Sequence, residues 1–118
     1  MIDDAQKQMS RDLLVEMRDA FARRDWEATL NVYWRLRDMF AGQRNLRVEA
    51  TCLAARAMVG QGDRPGARAL LKPVGTSEYT KAVHYDFLAH AFLDLKNYKE
   101  VARVCERADA LIEVEKQG

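Results

Sequence analysis

The two cysteines, Cys52 and Cys105, and the two histidines, His84 and His90, are the side chains best suited to nucleophilic or metal chemistry. Their spacing argues against both. There is no C-x-x-C and no cluster with zinc-ligand spacing. Both cysteines fall among apolar neighbours on helical patterns, which reads as two small buried hydrophobes. His84 and His90 lie six residues apart and so point to different helix faces. A Cys52–His90 thiol–imidazole pair across neighbouring helices would lack an orienting group and an oxyanion site. Asp3 and Asp4 have no ligand partners. No Gly-rich phosphate loop, H-E-x-x-H or G-x-S-x-G occurs. The expectation is a non-enzyme with no metal and no cofactor.

The elements that would position these residues are helical. The chain has 118 residues with only 6 Gly and 2 Pro, 48% hydrophobic and 31% charged residues, so a single soluble domain over residues 1–118 is expected. The net charge of +1 argues against a protein built to grip nucleic acid. Residues 1–72 hold 13 Lys+Arg against 10 Asp+Glu, and residues 73–118 hold 6 against 8. That mild asymmetry reads as solvated surface. The acidic start and the absence of any long apolar run predict no signal peptide, no membrane span and a cytoplasmic protein. Its 13 Arg to 6 Lys is compatible with a GC-rich bacterial source.

Apolar residues at three-and-four spacing predict six helices in pairs. The first spans about 4–24 on Leu13, Leu14, Met17, Ala20 and Phe21. The second, about 26–40, carries Trp26, Leu30, Tyr33, Leu36 and Phe40, with Trp34 offset, and Gly42 is placed as its left-handed cap. The third, about 46–59, is Ala-rich, which permits close helix approach. The fourth, about 64–71, is stopped by Pro73 and Gly75. The fifth spans about 79–95, with Thr76, Ser77 and Thr80 as candidate caps. The sixth, about 98–115, has the apolar set Val101, Val104, Cys105, Ala108, Leu111 and Ile112. Asp25 and Asp63 are expected N-caps. No hairpin or strand signal appears.

Turns before Trp26, Arg64 and Tyr98 are 38 and then 34 residues apart. A helix–turn–helix unit at that period resembles the tetratricopeptide repeat family. The third unit carries the likeness best, through Tyr85, Leu88, Ala89, Phe92, Tyr98 and Ala108, with Val101 in place of the usual Ala. The second fits through Ala54-Ala55, Met58, Gly62-Asp63 and Ala67. The first fits through Trp26 and Tyr33, with Leu14, Met17 and Phe21 aligned by a one-residue shift.

The resemblance implies an all-α fold of three stacked antiparallel hairpins in a right-handed superhelix, at about 4–40, 46–72 and 79–115. It implies a protein-binding adaptor or chaperone-like module that holds a partner segment in a concave groove. The groove would be lined by Arg11, Leu14, Arg18 and Phe21, then by Glu49, Cys52, Arg56 and Val59, then by Val83, Asp86, Phe87, His90 and Leu93. Arg18, Arg56 and His90 are equivalent, and rigid arginines suit an acidic segment. Leu14 and Val83 stand where the carboxylate-clamping subclass has basic residues, so that activity is not expected. The final hairpin has no capping helix after it, so Val104 and Leu111 are candidates for self-association into a homo-oligomer. An RNA-associated repeat using the basic N-terminal half is a third reading, with nucleic acid the less favoured partner.

Overall fold

A computed structural model describes residues 3–117. They form α1 (Asp4–Ala22), α2 (Trp26–Arg37), α3 (Arg44–Gly60), α4 (Arg64–Gly75), α5 (Ala82–Asp94) and α6 (Tyr98–Gln117). No strand occurs among the described residues, and the fold is all-α with six helices. The helices pair in sequence, α1 with α2, α3 with α4 and α5 with α6. The pairs are joined through α3, which lies against α1, α2 and α5.

The period is written most clearly in the turns. Arg24, Gly62 and Lys96 are each left-handed, at φ 58°, 85° and 57°. Each is followed by a residue whose N–H reaches back five positions: Asp25 to Ala20 O at 3.0 Å, Asp63 to Met58 O at 2.8 Å, Asn97 to Phe92 O at 2.9 Å. That bond satisfies a carbonyl at the end of one helix. The same residue opens the next helix. Asp25 accepts from the Ala28 N–H at 3.1 Å and Asp63 from the Gly66 N–H at 2.9 Å. Each short turn thus ends one helix and begins another.

Two apolar clusters form the core. One gathers Leu13, Met17, Leu30, Tyr33 and Leu36 from the first pair against Ala50, Ala54 and Ala57. The other gathers Val48, Cys52, Leu71, Val74, Leu88, Phe92 and Val104. Met58 and Leu70 pack against both. α3 is therefore buried on two sides, and its alanines let helices approach from each.

The boundaries differ from expectation at three places. α2 ends at Arg37, and Gly42, at φ 75°, shapes the turn into α3 rather than capping α2. α4 continues through Pro73 to Gly75. Pro73 is exposed in the last turn, where it removes only one backbone bond. α5 begins at Ala82, so Tyr79 lies in the connection and its side chain fills the space there. Its hydroxyl donates to Val74 O at 2.6 Å, and its N–H donates to the Tyr85 hydroxyl at 2.9 Å. Thr76 and Ser77 do not cap α5. Their hydroxyls donate back to Lys72 O and Pro73 O at the end of α4.

Candidate functional site

The expected groove residues stand on α1, α3 and α5, which lie side by side. Two of its arginines are already occupied. Arg18 donates to both carboxylate oxygens of Glu49, at 2.5 and 2.7 Å, and so ties α1 to α3. This bond raises the Arg18 pKa above its ordinary value. Arg56 donates to Asp94 at 2.8 Å and lies 4.7 Å over the Phe21 ring, so it joins all three helices. These guanidiniums staple the molecule rather than wait for an acidic segment. Their equivalent, His90, is exposed and meets only Asp86 on its own helix, at 3.7 Å.

The other expected lining residues divide. Arg11 is exposed, and Leu14 and Phe21 are half-buried. On α5, Val83 and Leu93 are 47% and 49% exposed, Asp86 is exposed and Phe87 is half-buried. Val83, Asp86, His90 and Leu93 recur at helical spacing and form one stripe. Cys52 departs from expectation as a lining residue. It is buried between α3 and its neighbours, where desolvation pushes its thiol up to about 12. At pH 7 it is a neutral thiol with no nucleophilic character.

The last pair also differs from expectation. Val104 is 0% exposed and Leu111 is half-buried against the same cluster. The turn of the helix puts 101, 104, 108 and 111 on the line that faces α5, so these residues are core and not a contact surface. The residues beside that line are the open ones. Cys105 is exposed rather than buried, and Ile112 and Val114 are exposed. Between α5 and α6 lies an open groove of about 360 Å³ lined by Val83, Asp86, Ala89, Cys105, Ala108 and Ile112.

The turn register makes the meaning of that groove concrete. On the first pair the positions equivalent to Ala89, Cys105 and Ala108 are Met17, Tyr33 and Leu36, all buried where α3 packs. Trp26 packs on Phe21 at 5.4 Å and lies against Gly60 of α3, where an added Cβ would clash with its ring. Its equivalent, Tyr98, is 63% exposed. Sequence reading matched Tyr98 to Trp26 in the repeat but placed Cys105 and Ile112 in the apolar set of α6 by helical periodicity alone. Setting the last unit against the first in register was the signal that could have found them.

Among the described residues no three His, Cys, Asp or Glu side chains gather as a metal site, and no helix is long and apolar enough to cross a membrane. The chain matched no protein-family model, no curated protein and no solved structure.

Proposed function

We propose that this chain is a non-enzymatic protein-binding module of the tetratricopeptide type, and that its partner is a helical segment seated on the last hairpin. The observation that carries this reading is the empty position on α5 and α6 that α3 occupies on α1 and α2. A helix laid there would cover Val83, Ala89, Ala108 and Ile112 and the ring of Tyr98. Apolar anchors at helical spacing are the ordinary basis of helix-in-groove recognition. Small side chains on the groove floor allow a backbone to come close. Asp86 and Asp109, at its sides, favour basic residues on the incoming helix.

A second copy of the chain is the alternative occupant, favoured by the exposed Ile112 on the same surface. The test is affinity capture with the wild-type chain and with a Val83→Asp, Ile112→Asp variant that keeps the wild-type melting temperature. A partner retained by the first and lost by the second is the expected result. Equal capture by both would remove the reading. Sedimentation velocity over a range of concentrations separates the alternatives, because only self-association makes the mass rise with concentration.

A further inference from the structure

A second cavity lies on a different part of the molecule, at the corner where α2 turns into α3. It is open, about 690 Å³ in volume, and lined by Tyr33, Phe40, Arg37, Arg44 and Arg47, with no acidic residue in its wall. Arg37 comes from the last turn of α2, and Arg44 and Arg47 stand three apart at the start of α3. None of the three has a carboxylate within ion-pair distance among the described residues, whereas Arg18, Arg35, Arg56, Arg103 and Arg107 all do. Three arginines around one space repel each other, and an anion between them relieves that repulsion.

Two of the three are held in place. Arg37 lies 5.1 Å over the Trp34 ring. Arg44 lies 4.9 Å over the Tyr79 ring and donates to the Glu78 carbonyl. Held this way, they lose little freedom when a ligand arrives. The start of α3 adds to the positive field. Its N-cap residue, Gln43, turns its side chain to Ser10 and to the Met39 carbonyl, so no side chain caps the first turn. Tyr33 lies in the same wall. It is only 4% exposed and lines the cavity, yet its hydroxyl makes no hydrogen bond among the described residues.

We infer that this corner binds a phosphomonoester dianion. Three arginines match two negative charges and the oxygens of a phosphoryl group, which accepts paired guanidinium bonds. The Tyr33 hydroxyl would donate one bond more. The group could be carried by a phosphorylated side chain of a protein or by a small phosphate ester, and the experiment distinguishes them.

Calorimetry at physiological salt would titrate the full chain with capped phosphoserine, capped serine, a nucleoside 5′-monophosphate and single-stranded RNA. Saturable binding of a monoester, with none of capped serine, is expected. Arg37→Ala and Arg47→Ala should each weaken it at least about tenfold, the loss of a charge-assisted bond. Tyr33→Phe keeps the ring and should weaken it several-fold with little change in melting temperature. Tighter binding of phosphoserine than of the nucleotide assigns the site to phosphorylated protein, and the reverse order assigns it to a small ester. The inference fails if no monoester binds, if the arginine variants bind as well as wild type, or if RNA binds and the monoesters do not.

Discussion

The first and last hairpins share one register and differ in what covers them. On the first, Met17, Tyr33 and Leu36 are large and enclosed by α3. On the last, Ala89, Cys105 and Ala108 are small and line an open groove. Phe21 lies beneath Arg56, while its equivalent Leu93 is half in solvent. Arg18 and Arg56 each cross to a carboxylate on the next odd-numbered helix, while His90 finds one only on its own. One hairpin thus shows the unit with its neighbour in place, and the other shows the same unit without one. The difference shows which residues depend on stacking and which depend only on the hairpin itself.

The largest effects should fall on the covered side. Met17→Ala is expected to cost about 2–5 kcal/mol, because it leaves a cavity in a closed core. Ile112→Ala, on the open side, should cost less than about 1 kcal/mol in the isolated chain. Urea denaturation of both variants checks the contrast, and equal losses would break it. Gly60→Ala comes next. The new methyl would meet the Trp26 ring, so a loss of about 1–3 kcal/mol is expected, with a change in Trp emission as the ring moves.

Leu13 and Tyr85 sharpen the comparison at a deeper level. Both are buried at equivalent positions, but only Tyr85 carries a hydroxyl. That hydroxyl accepts from the Tyr79 N–H, so Tyr85→Phe leaves a buried donor unpaired. A loss of about 1–2 kcal/mol is expected, with faster amide exchange at Tyr79.

A single-proton effect follows from His84, which packs with Tyr79 and has an unpartnered Nδ1. Desolvation lowers its pKa from 6.5, and Lys81 and Arg44 lower it further against an opposing effect of Glu49. The unfolded chain therefore binds this proton more readily than the folded one. Stability should be unaffected by this group above the unfolded value and should fall as the pH drops below about 6.5. A Gln at position 84 should remove that part of the slope in melting temperature against pH. If the slope is unchanged, His84 is not its source.

The smallest expected effect is in the turns. Lys96 adopts the left-handed conformation that glycine fills at Gly62. Lys96→Gly should be neutral or stabilising by up to about 1 kcal/mol in thermal denaturation, as relief of strain offsets greater freedom in the unfolded chain.

Much of this was legible from residues close in sequence. Asp25 and Asp63 announced helix starts because a side-chain oxygen two or three residues away satisfies an N–H whatever lies beyond. The period of the turns was visible because each is a short, self-contained set of backbone bonds. Local signals misled where distant contacts intervene. Pro73 looked like a stop, yet it costs α4 only one bond, and the Tyr79 hydroxyl engages Val74 in that same last turn. Thr76 and Ser77 looked like starts, yet their hydroxyls serve the helix behind them.

The sequence by itself determined the six helices, their pairing and the register, because hydrophobic period, caps and turn chemistry act within a few residues. Tertiary structure alone decided which side chains remain available. It buried Cys52 and Val104, joined Arg18 to Glu49 across 31 residues and Arg56 to Asp94 across 38, and brought Arg37, Arg44 and Arg47 to one wall. Exposure and charge pairing depend on what lies across a helix face. That neighbour is set by the packing of the whole chain and is not written in the local pattern.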